Sequence, residues 1–184
     1  MANSKQQHQV PNTQSFESFR SIMMSTKYED LSEQKDKESR ACNIIIHGKE
    51  DLGNQEEDSK FVSELIEEVY KDIKPKMITR IGRQELNKKR PIKIIMSKED
   101  EKKNIMGNLI NLKGKEKYKG ISITEDYTIS ERRMIKEFKT SASNKNLMEP
   151  ENSNFVWKVR GTPKNGLVIK RFTKVRIPQQ TQSA

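Results

Sequence analysis

Apolar residues in this chain fall into short runs whose spacing changes from one run to the next. Residues 41–47 hold the run Cys42-Asn43-Ile44-Ile45-Ile46, which reads as a central strand covered on one face and partly on the other. Residues 61–73 switch to helical spacing, with Phe61, Leu65, Val69 and Ile73 at steps of four and Val62 and Ile66 widening the stripe. Asp58 or Ser59 stands as its N-cap and Pro75 closes it. Residues 77–83 and 91–96 return to period two. In the second of these, Ile92, Ile94 and Met96 share one face and Lys93 lies on the other; in the first, Arg80 alternates with Met77, Thr79 and Ile81. A second helix is predicted over 100–112, carrying Ile105, Leu109 and Leu112 behind a Ser97 cap, with Gly107 costing it about 1 kcal/mol relative to alanine. A short fourth strand follows at 121–124.

The order over 41–126 is therefore strand, helix, strand, strand, helix, strand. It predicts an α+β fold: a four-stranded antiparallel sheet with two helices on one face, the ferredoxin-like or RNA-recognition-motif (RRM) architecture. Downstream, Thr128-Ile129-Ser130-Glu131 has the capping-box pattern. It opens a helix with Ile135, Phe138 and Ala142 on one side and Arg132, Lys136 and Lys139 on the other. Residues 141–154 read as a polar connection. Residues 155–160 and 167–172 then alternate around Gly161-Thr162-Pro163-Lys164-Asn165-Gly166, a hairpin signal. Phe155, Trp157 and Val159 fall on one strand face, Lys158 and Arg160 on the other. A two-stranded ribbon is marginal alone, so the hairpin is expected to pack on the helix before it. Residues 127–177 thus form a small basic C-terminal domain, and 178–184 a frayed tail.

Residues 1–40 are polar, with Phe16, Phe19 and Met23 at i, i+3 and i+7. About two turns of stripe make no stable isolated helix, and three clean heptads are absent. The segment reads as a disordered or short coiled-coil-like tail.

Charge sharpens the picture. The chain carries 36 basic and 26 acidic side chains, but residues 75–184 hold 26 and 11 of them, a net +15, against −5 in residues 1–74. Such a surplus points to a polyanion, with nucleic acid ahead of a membrane because no stretch approaches the about 20 apolar residues a span requires. Cys42 is the only cysteine, which excludes an internal disulfide and fits a reducing compartment, cytoplasmic or nuclear. The first residues have no apolar core of a signal peptide. Gly48 and Gly53 have P-loop spacing, but Asn54-Gln55 stands where Lys and Ser/Thr are needed. His8, Cys42 and His47 make no metal set. No enzymatic activity, metal or cofactor is expected.

The candidate site is cationic. Arg80, Arg83, Lys88, Lys89, Arg90, Lys93, Arg132, Arg133, Lys136, Lys158, Arg160, Lys164, Lys170 and Arg171 recur where the predicted sheet and appendage could line one cleft and contact phosphates without reading sequence. An RRM usually stacks bases on aromatics of its first and third strands; 43–47 and 92–96 contain none. The alternative is an RRM-like protein-interaction module whose sheet face holds a peptide, with no nucleic-acid ligand.

In order, Arg40-Ala41-Cys42-Asn43-Ile44-Ile45-Ile46-His47-Gly48, Ile78-Thr79-Arg80-Ile81-Gly82-Arg83, Arg90-Pro91-Ile92-Lys93-Ile94-Ile95, Tyr118-Lys119-Gly120-Ile121-Ser122-Ile123, Ile129-Ser130-Glu131-Arg132-Arg133 and Trp157-Lys158-Val159-Arg160-Gly161 resemble the first-reading-frame nucleic-acid-binding proteins of LINE-type (non-LTR) retrotransposons, over roughly residues 40–175. The resemblance implies a coiled coil for self-association, an atypical RRM, and a basic C-terminal domain. Together these would bind single-stranded RNA or DNA, coat element RNA in a ribonucleoprotein and act as a strand-annealing chaperone. It also implies that Arg80, Arg83, Arg90, Arg132 and Arg133 stand where the family carries binding cations.

Overall fold

The computed structural model describes residues 13–85 and 88–174, apart from the side chains of residues 13–20 and 22. The frayed tail and the side chains of Phe16 and Phe19 lie outside the described residues. The chain divides into two compact units between Asp126 and Tyr127.

In the first unit β1 (Asn43–His47), β2 (Met77–Arg80), β3 (Ile92–Ile95) and β4 (Ser122–Glu125) form one antiparallel sheet in the order β2-β3-β1-β4. Helices α2 (Gln55–Val69) and α3 (Glu99–Gly107) follow β1 and β3. This is the predicted α+β, RRM-like architecture. Its core sets Ile44 and Ile46 of β1, and Ile92 and Ile94 of β3, against Phe61, Val62, Leu65, Ile66 and Val69 of α2 and Ile105 of α3. Period two in the strands and period 3.6 in the helices place those residues on facing surfaces.

The boundaries moved for local reasons. Helix α2 begins earlier than the apolar stripe because Asn54, not Asp58 or Ser59, is its N-cap: the Asn54 side chain accepts from the Glu56 N–H at 2.9 Å. It stops at Val69, and Asp72 at φ +67° turns the chain toward β2. Helix α3 ends at Gly107, with a 3₁₀ turn over Leu109–Leu112 in place of its predicted last turn. Ser97 is not its cap; Glu101 reaches back to accept from the N–H groups of Ser97 and Lys98, at 3.0 and 3.2 Å.

Residues 13–40, expected as a tail, form one helix, α1 (Thr13–Arg40). Its described side chains are largely exposed, among them Met23, Tyr28 and Leu31.

In the second unit α4 (Ile129–Met148) carries the Thr128/Glu131 capping box: Glu131 N–H donates to Thr128 Oγ1 at 3.2 Å and Thr128 N–H to the Glu131 carboxylate at 3.0 Å. The helix runs on to Met148 through most of the stretch expected as a connection. β5 (Phe155–Thr162) and β6 (Gly166–Thr173) form the predicted hairpin, and both contact α4. Asn165 N–H donates to the Thr162 carbonyl at 3.1 Å, closing a turn with Pro163 at its second position.

Candidate nucleic-acid interface

The open face of the sheet follows from the register. Thr79, Lys93, Ile45 and Thr124 align across the strands in one row, and Met77, Ile95 and Asn43 in the next. No aromatic ring is among them. The cations on this side converge on one acid: the Asp126 carboxylate accepts from Arg40 Nη1 at 2.7 Å and Asn43 Nδ2 at 3.0 Å, and lies 3.6 Å from Lys93 Nζ. Lys93 is where strand alternation put it, but beside a carboxylate.

Arg80 turns the other way, onto the helix side with Ile78. Its Nε and Nη2 donate to the two oxygens of Asp58 at 2.7 and 2.5 Å. Nη1 donates to the carbonyls of Lys49 and Arg90 at 3.1 and 2.5 Å, and Nη2 to that of Glu50 at 2.6 Å. A guanidinium has five N–H donors, and all five are engaged here on a side chain only 5% exposed. Arg80 therefore has no donor left for a phosphate in this arrangement.

Arg90, at the end of the following loop, folds back so that its Nε and Nη2 donate to Asp51 at 2.5 and 3.3 Å. The Arg90 hydrogen bond, helped by the Gly53 N–H, holds the Asp51 carboxyl below the usual carboxylate range. Asp51, Asp58, Arg80 and Arg90 thus tie the β1–α2 loop to the β2–β3 loop. Sequence reasoning missed this cluster. Its only signals were an arginine on the same strand face as Ile78 and an aspartate in the first turn of α2. Lys88 and Lys89 remain exposed but lie 3.1 Å from Glu85 and 3.5 Å from Glu50. Arg83 is exposed and has no acidic partner among the described residues.

The second unit differs. Residues 127–184 carry 12 basic and 4 acidic side chains, a net +8, whereas residues 1–126 carry 24 and 22. On α4, Arg132, Arg133 and Lys136 are exposed. On the hairpin face away from Trp157 and Val159 stand Lys158, Arg160 and Lys170, also exposed. None of these six has an acidic partner among the described residues. Lys158 and Lys170 are direct cross-strand neighbours, and like charges so placed destabilise a ribbon.

Arg171 lies on the opposite face and is already committed. Its Nε and Nη2 each donate to Glu149 at 3.0 Å. Glu149 also accepts from Trp157 Nε1 and from Ser153 Oγ, both at 2.7 Å. These donors, Arg171 foremost, hold the Glu149 carboxyl down to about 2. The Asn146 side chain completes the joint, accepting from the Trp157 N–H at 2.7 Å and donating to the Trp157 carbonyl at 3.0 Å.

No group of His, Cys, Asp and Glu able to hold a metal ion occurs among the described residues, and no described helix is long and apolar enough to cross a membrane. Neither the models of known protein families nor the curated proteins give a match to this chain.

Proposed function

We propose that this chain binds single-stranded RNA or DNA through its phosphates, with little sequence preference and without catalysis. The observation that carries this reading is the set of exposed cations without acidic partners in residues 127–174: Arg132, Arg133, Lys136, Lys158, Arg160 and Lys170. In residues 13–126 most of the candidate cations are matched by a nearby acid; here they are not, and Lys158 and Lys170 are held opposite one another at a cost that a polyanion would offset. On the first unit, taken by itself, Arg83 is a separate candidate contact, Lys88, Lys89 and Lys93 are secondary ones, and Arg80 and Arg90 act as framework.

A sheet face without aromatics agrees with phosphate contact in place of base reading on the RRM-like unit. The role proposed with it, on the resemblance, is that of a retrotransposon-derived ribonucleoprotein component and strand-annealing chaperone, cytoplasmic or nuclear, self-associating through α1. The alternative, a peptide-binding sheet face, calls for exposed apolar residues there; Ile45 is only 7% exposed, although Met77 at the sheet edge is 53% exposed.

Fluorescence anisotropy of a labelled single-stranded RNA over a range of salt concentrations tests the proposal. Affinity should fall by about 0.7 log units per log unit of salt for each phosphate contacted, and the Arg132→Ala/Arg133→Ala double variant should bind more weakly with a shallower slope. Binding indifferent to salt, or unchanged in the double variant, overturns it.

A further inference from the structure

The aromatic rings missing from the sheet face occur on the hairpin, each with a cation against it. Register sets Trp157 directly opposite Arg171, with Phe155 on the same face one step nearer the strand ends. The guanidinium carbon of Arg171 lies 4.0 Å from the Phe155 ring centre and 5.9 Å from that of Trp157. Lys145 Nζ lies 4.5 Å from the Trp157 ring centre. Phe155, Arg171, Trp157 and Lys145 therefore form a chain of alternating ring and cation contacts. Glu149 fixes its middle, since one carboxylate accepts from Arg171 Nε and Nη2 and from Trp157 Nε1. Two hydrogen bonds to Glu149 orient the Arg171 plane. Trp157 is half-buried, whereas Phe155 ends the chain with 37% of its surface exposed.

A hairpin needs no such series to close. Its strands are already paired over eight positions, and an apolar residue at Phe155 would cap the end as well without presenting a ring to solvent. What an exposed aromatic ring backed by a fixed guanidinium does offer is a flat surface for another π system. Every nucleobase has one, and stacking of this kind tolerates any sequence. In a duplex the base faces are covered by their neighbours, so such a surface accepts only unpaired bases.

We propose that Phe155, backed by the Arg171 guanidinium that Glu149 clamps, is a stacking site for an unpaired nucleobase. The proposal rests on the nucleic-acid reading above and adds to it a source of selectivity for single strands: phosphates are held by the cations without acidic partners, and the hairpin end senses whether a base is free.

Trp157 is the only tryptophan in the chain and lies one contact layer from the site, so its emission reports there. The full chain is titrated at fixed salt with three labelled probes: oligo(dT), an abasic strand of equal length, and the same oligo(dT) paired with oligo(dA). Strand anisotropy and Trp157 emission are followed together. All three should bind with salt dependence, but oligo(dT) about tenfold more tightly than the abasic strand, and it alone should quench Trp157. Phe155→Leu, which keeps apolar bulk, should bring oligo(dT) to the abasic affinity, and Phe155→Tyr should restore the difference. Equal affinity for oligo(dT) and the abasic strand overturns the stacking site while leaving phosphate binding intact, and that comparison needs no variant to fold. Absence of salt-dependent binding by any probe overturns both readings.

Discussion

Arg80 shows how far a residue's role depends on which face of its strand is covered. Alternation predicts that Ile78 and Arg80 share a side, and the apolar neighbour was the clue that this side is the core. A cation among cations nevertheless reads as surface. In the fold its charge is buried against Asp58, and removing one partner of such a pair leaves an uncompensated buried charge, typically costing about 3–5 kcal/mol. Arg80→Ala and Asp58→Asn should each lower stability by that order in urea unfolding followed by circular dichroism. Folded Arg80→Ala should keep the wild-type salt slope for RNA binding. Gly48 is a second residue with a fixed requirement. Its φ is +96°, and a Cβ there would lie 2.2 Å from the Gly120 carbonyl oxygen. Gly48→Ala must displace backbone and strain φ, so destabilisation of more than about 1 kcal/mol is expected in the same assay.

At the scale of elements, the strands, α2 and the hairpin were legible because period and turn chemistry agree with the tertiary environment: apolar residues on the period-two face of β3 and the four-step stripe of α2 meet in one core. Helix α1 and the last turns of α4 were not. The end of α4, Ser141-Ala142-Ser143-Asn144-Lys145-Asn146, is rich in residues that favour turns. Beyond Ala142, which the apolar side of the helix already placed inward, it is helical because Asn146 pairs with the exposed edge of β5 at Trp157, a contact that no local pattern reveals. Asn146→Ala would leave both backbone groups of Trp157 without that partner and should cost the second unit about 1–3 kcal/mol. Glu149, which caps α4, gives the joint a pH dependence. Its carboxyl titrates near 2 in the folded unit against an ordinary 4.5, so the native state favours the ionised form. The stabilisation is complete above about 4.5 and is lost as pH falls from there toward 2. Emission of Trp157 in the native chain should shift only as pH approaches 2, where the folded carboxyl takes up its proton, and Glu149→Gln should abolish the shift.

Across the whole molecule, composition located the basic surplus in the later half, but the structure divides it more sharply. The first unit is nearly balanced, and about half of its described lysines and arginines pair with its own acids; sequence could not distinguish those from free cations because many of the pairs join residues distant along the chain, such as Lys115 with Glu68 and Lys117 with Glu64. Exposed pairs of this kind contribute little stability, yet an acid beside each cation lowers what that cation offers a phosphate. Two triple variants separate surface from net charge. Lys103, Lys115 and Lys117 are exposed and paired; Arg132, Arg133 and Lys136 are exposed without partners. Replacing either set by alanine removes three positive charges. If binding followed net charge, both would weaken it alike. With the contacts on α4, only the second set should flatten the salt slope, by about 2 log units per log unit of salt for three lost contacts, while the first set leaves it within about one contact of the wild type.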